Sequence, residues 1–170
     1  VAILLFTPLL KGWVWWAVAI PYFYISQLYF KGRFGLMFHC LCHRKTFKAP
    51  WQQLFYAYTT WILCPFFGHA PEGYFSHHMG MHHIENNMPD DTSSTMGYQR
   101  DSLRGFLAYV GRFLILGFRD TFMYFFRNKR KKFYMRLAAG ELSFYIFCVG
   151  MCFVNFHATL FIFIIPFVFA

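Results

Sequence analysis

Residues 137–154, LAAGELSFYIFCVGMCFV, and residues 158–170, ATLFIFIIPFVFA, are two apolar runs that decide the fold. Only the tripeptide Asn155-Phe156-His157 separates them. A helix needs about 20 apolar residues to cross the hydrocarbon core of a bilayer, and a short polar break between two such runs is typical of a turn. The two runs therefore predict a hairpin of membrane helices.

The composition of the whole chain also indicates a membrane protein. Of its 170 residues, 58% are hydrophobic, 24% are aromatic and only 14% are charged, whereas about a quarter of the residues in a soluble globular domain are charged. Further apolar runs occupy residues 1–10 and 13–30. We predict an all-α fold: an integral membrane helical bundle with about four transmembrane helices plus interfacial helices.

The segments between these runs are predicted to stay on one face of the membrane. Residues 51–68 are apolar but contain Gln52 and Gln53, and a crossing there would separate two clusters of histidines. We therefore expect this segment to return to the side from which it enters. Arginines recur every seven or eight positions through residues 103–126, which indicates an interfacial amphipathic helix. The polar stretch 85–101 is predicted to be a long loop.

The basic residues are distributed asymmetrically. The formal net charge is +9, and every Lys and Arg except Lys11 lies between Lys31 and Arg136, as the positive-inside rule predicts. The basic cluster at residues 127–132 adjoins the hydrophobic hairpin, so we expect it to meet anionic lipid headgroups. No nucleic-acid partner is expected.

Most of the histidines fall into two clusters. His39 and His43 form the motif HxxxH, and His78, His82 and His83 form the motif HxxxHH. In an α-helix, residues four apart lie on one face, so each motif directs two imidazoles to the same side, while the third histidine of the second motif is turned by about a hundred degrees. Imidazole suits iron, zinc, copper and nickel, and five histidines exceed what one tetrahedral zinc needs.

These motifs resemble those of a known family. The stretches HCLCHR (39–44), HHMGMHH (77–83) and IENNMPDDTSS (84–94) are similar to the first two histidine boxes and the downstream loop of membrane fatty-acid desaturases and alkane hydroxylases. In that family an HxxxH box ends a transmembrane helix, and an HxxHH or HxxxHH box follows a membrane-associated segment. The resemblance implies that the five histidines bind two iron ions, with zinc as a substitute metal.

The resemblance also implies an activity and its partners. It implies a dioxygen-dependent di-iron desaturation, or hydroxylation, of a long acyl or alkyl chain in the membrane of the endoplasmic reticulum or a plastid. Electrons would come from a small external donor protein that is acidic and docks near Arg44, Lys45 and Lys48. We expect residues 1–170 to form a single desaturase-like domain that is truncated at both ends, because a third histidine box does not occur before Ala170.

Other functions stay open. Without a third histidine box, the chain fits a desaturase-like fold that is retained as a non-catalytic structural or lipid-binding subunit of a larger membrane complex. A membrane zinc hydrolase or transporter is a weaker alternative, because no carboxylate is evident as a base beside the histidines. Cys40 and Cys42 suggest a thiolate zinc site, but no second cysteine pair completes it.

Three further residues are candidates for supporting the metal ligands. His77 breaks the four-residue spacing from His82, so it is predicted to hydrogen-bond within the site rather than bind metal. His69 and Asn86 are weaker candidates for the same role. The nearby carboxylates are expected to be solvated, either in the polar loop or at helix ends. They are Glu72, Glu85, Asp90, Asp91 and Glu141.

Overall fold

The computed structural model describes residues 1–169, and every regular element in that part of the chain is helical. The predicted all-α fold is therefore confirmed. In chain order the elements are α1 (Ala2–Leu5), α2 (Gly12–Phe23), π1 (Tyr24–Phe30), α3 (Lys31–His43), α4 (Trp51–Ala57), π2 (Tyr58–Leu63), α5 (Cys64–Phe66), α6 (Gly73–His77), π3 (His78–His82), α7 (His83–Glu85), α8 (Leu103–Arg127), α9 (Lys131–Thr159), π4 (Leu160–Ile164) and α10 (Ile165–Val168).

The chain divides into two compact units. One comprises Val1–Pro71 and Leu142–Ala170, and the other comprises Glu72–Glu141. In the first unit, α2, π1 and α3 follow one another without a break, because the backbone at Tyr24 and Lys31 stays in the right-handed helical region. The helix predicted over residues 13–30 is present, and it continues as far as the first histidine motif.

The predicted turn between the two apolar runs is present. Asn155 interrupts α9 with φ −158° and ψ 102°. Its side-chain Oδ1 accepts a hydrogen bond from the backbone N–H of Ala158 at 3.0 Å, and its carbonyl accepts one from the Thr159 hydroxyl at 2.8 Å. These are the contacts of an N-cap, so Asn155 ends one helix and begins the next.

Aromatic packing shows that the two helices joined at Asn155 are antiparallel. The rings of Phe147 and Phe163 are 5.0 Å apart, and the rings of Phe144 and Phe167 are 4.9 Å apart. Phe144 lies further from the turn than Phe147, and its partner Phe167 lies further from the turn than Phe163. The predicted helical hairpin is confirmed.

Polar contacts at both ends of the first unit align its longest helices. The indole of Trp15 donates to the carbonyl of Leu5 at 2.9 Å, and the amide of Asn155 donates to the same carbonyl at 3.5 Å. At the opposite end, the Lys31 ammonium donates to the carbonyl of Phe169 at 2.9 Å. The segments 12–31 and 155–169 therefore run parallel, and Lys31 satisfies a carbonyl that a helix end leaves without a partner.

The helix through residues 51–66 ends close to Lys31 and Phe169 in the first unit. The carbonyl of Phe66 accepts a hydrogen bond from the Gln27 amide at 2.9 Å. Gly68 has φ +82°, and a Cβ added there would lie 2.0 Å from the carbonyl oxygen of Pro166. Only glycine permits both this backbone conformation and this close approach.

The second unit contains the second histidine motif. Its buried core is formed by Met81, Phe125 and Leu137. The predicted loop is present, and helix α8 begins after Ser102, whose hydroxyl accepts a hydrogen bond from the N–H of Gly105 at 3.2 Å. The helix predicted over residues 103–126 is thereby confirmed.

Within residues 1–169, a single helical stretch, Lys131–Val168, has the length and apolar composition needed to cross a membrane. It contains the break at Asn155. The helix through residues 13–30 is richer in Trp and Tyr, which favour the membrane interface and score lower than aliphatic residues in hydropathy.

Candidate metal centre

The second histidine motif lies on a π-helical turn. Helix α6 ends at His77, and π3 covers His78–His82. The backbone N–H of His83 donates to the carbonyl of His78, five residues earlier. Such turns are rare and occur frequently at functional sites. The additional residue in such a turn brings residues five apart close to the same face.

The five-residue repeat brings His78 and His83 together. Their Nε2 atoms are 3.0 Å apart and their ring centroids 4.4 Å apart, whereas the ring centroids of His78 and His82 are 5.7 Å apart. The expectation that His83 is turned away from His78 assumed α-helical geometry. The π-helical turn rotates His83 back toward His78.

The positions of these two nitrogens fit a shared metal ion. Two imidazole nitrogens that each lie about 2.1 Å from one metal, at a right angle, are about 3.0 Å apart. The Nε2 atoms of His78 and His83 have this separation. His78 is buried and His83 is exposed, so a metal held here would have one protected and one open side.

A buried carboxylate contacts His82 of the motif and the preceding residue His77. Asp91 is only 2% exposed. Its Oδ2 lies 2.7 Å from Nδ1 of His82, and its Oδ1 lies 3.3 Å from Nε2 of His77. Burial alone raises the pKa of Asp91, but hydrogen bonds from Ser93, His82 and His77 outweigh it and hold the pKa well below its usual range. Asp91 is therefore ionised at neutral pH.

The predicted solvation of Asp91 is wrong, whereas that of Asp90 is correct. Asp90 is exposed, while Asp91 faces the histidines. Asp91 Oδ1 accepts hydrogen bonds from the backbone N–H of Ser93 at 2.9 Å and from its hydroxyl at 2.7 Å. An Asp side chain often accepts the backbone N–H two residues further on, but Asp90 is followed in the same way by the hydroxyl residue Thr92, so the sequence alone does not separate the two aspartates.

The first histidine motif has the geometry that its spacing predicts. His39 and His43 lie on the last turn of α3, with ring centroids 4.8 Å apart. His43 is the last helical residue, and the chain becomes extended at Arg44. Four-residue spacing in an α-helix is sufficient to bring these two rings together.

The weaker candidates occupy different surroundings. His69 follows the Gly68 turn in the first unit, where burial, aided by the positive charge of Lys31, lowers the pKa of His69 to about 4. His69 is therefore neutral at pH 7. Asn86 adopts a left-handed conformation with φ 48° and ends α7, and its backbone N–H donates to the carbonyl of His82 at 2.7 Å. The left-handed backbone of Asn86 ends the helix and begins the loop that follows it.

Two arginines contact the segment that carries the second motif. Arg130 donates to the carbonyl of Gly80, inside π3, at 2.6 Å. Arg136 donates through Nε to Oε2 of Glu72 at 2.8 Å. Glu72 is only 7% exposed, so its predicted solvation is wrong, because this ion pair replaces water. Both contacts hold the ends of the segment 72–80.

Two other carboxylates also differ from the expectation of solvation. Glu85 is half-buried and accepts a hydrogen bond from the hydroxyl of Tyr124. Burial raises the pKa of Tyr124 to about 12, with a further contribution from this hydrogen bond. Glu141 is buried within α9, at 9% exposure. Glu85 and Tyr124 are 39 residues apart, so no local sequence pattern indicates their contact.

Gly80 is expected to be required for the packing of π3. A Cβ at Gly80 would lie 2.7 Å from the ring of Phe133 and 2.9 Å from that of Phe125. Phe125 is completely buried, so it has little room to move. We expect Gly80→Ala to destabilise the protein by about 1–3 kcal/mol, measured as a lower thermal unfolding temperature in detergent.

Gly111→Ala is the matched control for this substitution. Gly111 also lies in a helix, α8, but nothing lies within 4 Å of the position its Cβ would take. Alanine there is expected to be neutral or to stabilise by up to about 1 kcal/mol. Equal unfolding temperatures for the two variants would show that π3 does not pack tightly against the phenylalanines.

Comparison with known proteins assigns the chain to a family. The family model described as Fatty acid desaturase matches residues 13–170, a range that includes both histidine motifs. No curated protein and no solved structure matches the chain significantly. The family implies a lipid or acyl-chain substrate and a membrane setting, with which the apolar stretch Lys131–Val168 agrees. The resemblance seen in the histidine motifs is confirmed: the chain belongs to the fatty acid desaturase family.

Proposed function

We propose that this protein is a membrane di-iron enzyme that uses dioxygen to desaturate, or hydroxylate, a long acyl or alkyl chain. The observation that carries the proposal is the convergence of two imidazole nitrogens, at 3.0 Å, within the HxxxHH motif of a fatty acid desaturase family member. Nitrogen donors of this kind suit iron, and zinc is the expected substitute.

Five histidines are proposed as metal ligands: His39, His43, His78, His82 and His83. Each motif supports this proposal by itself, because the rings of His39 and His43 are paired at the end of α3 and the rings of His78 and His83 are paired across π3. His77 is proposed as a hydrogen-bonding neighbour, since its Nε2 faces Asp91. When bound, iron would supply the activation of dioxygen and the oxidation of an unactivated carbon, while the protein orients the chain and excludes water.

We propose about four transmembrane helices with interfacial helices between them. In the first unit, segments 12–31 and 155–169 run parallel, and the helix preceding Asn155 runs antiparallel to the latter. The segment 51–66 ends near Lys31. This supports its return to the side of the membrane from which it enters. The arginine spacing in α8 supports an interfacial position for that helix.

Electrons are proposed to come from a small external donor protein. Arg44, Lys45 and Lys48 are exposed immediately after the first histidine motif. Such a cluster of cations steers an acidic partner toward the surface. We propose the endoplasmic reticulum or a plastid as the membrane of residence.

The proposal is tested on protein purified from its native membrane. We expect about two irons per chain by elemental analysis. Incubation with membrane lipid, a reductant and dioxygen is expected to yield acyl chains with a new double bond or hydroxyl group, detected by mass spectrometry, and no product without dioxygen. A chain that holds no transition metal and forms no product would instead favour a structural or lipid-binding subunit of a larger membrane complex.

A further inference from the structure

We infer that Asp91 is a positioning residue for the second histidine motif: its carboxylate bridges His77 and His82, accepts the N–H of His82 Nδ1 and directs Nε2 of His82 away from the carboxylate. The function of His82 as a metal ligand rests on the proposed function. The orientation and protonation of its ring do not, and they can be measured in the metal-free protein.

The hydrogen bonds around Asp91 define it as an acceptor. Its Oδ1 receives the N–H and the hydroxyl of Ser93, and its Oδ2 receives the N–H of Asn87 at 3.2 Å. Two of these donors are backbone N–H groups, which cannot reverse their polarity. With the carboxylate already accepting from them, the close contact at His82 Nδ1 requires the hydrogen to be on the imidazole.

This contact determines which nitrogen of His82 remains available. A neutral imidazole carries one hydrogen. If Nδ1 of His82 donates to Asp91 at 2.7 Å, Nε2 has a free lone pair. A carboxylate that binds the other nitrogen of a histidine ligand fixes both its tautomer and its ring orientation, and loss of such a partner typically lowers metal affinity about 10–100-fold.

His77 is held by the same carboxylate because of the π-helical repeat. His77 and His82 are five residues apart, and their rings, 6.2 Å apart, both face Asp91. The second five-residue pair, His78 and His83, has the converging nitrogens. One π-helical turn thus separates the four histidines of residues 77–83 into a pair that contacts the carboxylate and a pair whose Nε2 atoms converge.

The loop that carries Asp91 is fixed by its own contacts. The hydroxyls of Thr92 and Thr121 are 3.1 Å apart, which attaches the loop to α8. The hydroxyl of Ser94 donates to the carbonyl of Asn87 at 2.7 Å, and Tyr109 donates to the carbonyl of Ser93 at 3.4 Å. These contacts keep the carboxylate in place without help from the histidines, as a positioning role requires.

The test compares Asp91→Asn with the exposed neighbour Asp90→Asn. Asparagine has nearly the shape of aspartate, but its NH₂ group can only donate. Facing His82, it would favour hydrogen on Nε2 and block that atom. We expect the iron affinity of Asp91→Asn, measured by chelator competition, to fall about 10–100-fold, whereas Asp90→Asn keeps the affinity of the wild type.

Nitrogen NMR of ¹⁵N-histidine-labelled, metal-free protein gives a readout that a purely structural role would not change. The His82 signal is assigned by its loss in His82→Gln. We expect Nδ1 of His82 to be protonated in the wild type and in Asp90→Asn, and Nε2 to be protonated in Asp91→Asn. If Asp91→Asn does not fold, the wild-type spectrum still decides, because an unprotonated Nδ1 would overturn the inference.

The outcomes distinguish this inference from the proposed function. If the wild type binds iron and Asp91→Asn binds it equally well with an unchanged His82 tautomer, the inference is overturned while the proposed function stands. If the wild type binds no transition metal, the proposed function fails. The inference then stands or falls on the tautomer change alone.

Discussion

Replacing His78 with alanine is expected to remove most of the bound metal and to reduce product formation by at least about 100-fold. His78 is buried, and its Nε2 lies 3.0 Å from that of His83. Alanine leaves His83 without the neighbouring donor, and loss of even a supporting group at a metal site costs about 10–100-fold in affinity or activity. Metal per chain and acyl product are measured on the same purified sample.

His157→Ala is the control for this experiment. His157 is exposed beside the Asn155 turn and lies outside both motifs. Its replacement is expected to leave metal content and product formation unchanged. Unchanged product formation in a folded His78→Ala variant, with a wild-type unfolding temperature, would contradict the proposed metal centre.

Replacing Arg136 with alanine is expected to cause the largest loss of stability. Both Nε and Nη2 of Arg136 approach Oε2 of Glu72, at 2.8 and 2.6 Å, and its guanidinium lies 4.4 Å from the ring centre of Phe75. Removing one partner of a buried ion pair costs about 3–5 kcal/mol. The Arg136 side chain is 27% exposed, so we expect about 2–3 kcal/mol, measured by thermal or denaturant unfolding.

A double-mutant cycle isolates the contribution of this ion pair. Arg136→Ala with Glu72→Gln is expected to be less destabilising than the sum of the two single substitutions, because neither charge then remains buried. Arg127→Ala, at the exposed end of α8, is the control and is expected to change stability by less than about 0.5 kcal/mol. Additive effects of Arg136→Ala and Glu72→Gln would contradict the coupling.

Local patterns were sufficient to predict much of the fold. The apolar runs on either side of Asn155, the loop after Glu85 and the helix over residues 103–126 depend on hydropathy and turn chemistry within a short window. The position of Lys31 at the end of the final helix was not predictable in this way. It joins residues 138 positions apart, and no local pattern indicates such a contact.

The site was predictable in its residues but not in its local geometry. Histidine spacing identified both motifs, and an α-helix accounts for His39 and His43. In the second motif, close packing of Gly80 against aromatic rings accompanies the π-helical turn, which changes the pairs that form. The burial of Asp91 was missed because two adjacent aspartates look alike in a polar loop until one of them finds hydrogen-bond donors.

The π-helical turn gives the second motif a tolerance to insertion. In the shorter HxxHH box, the first and last histidines are four residues apart, which is the spacing that an α-helix brings together. In this chain they are five residues apart, and the additional residue is accommodated by widening one turn instead of shifting the rest of the helix. Loss of one residue between His78 and His83 would give the four-residue spacing that an α-helix brings together, so the outer two histidines could stay paired in either local geometry.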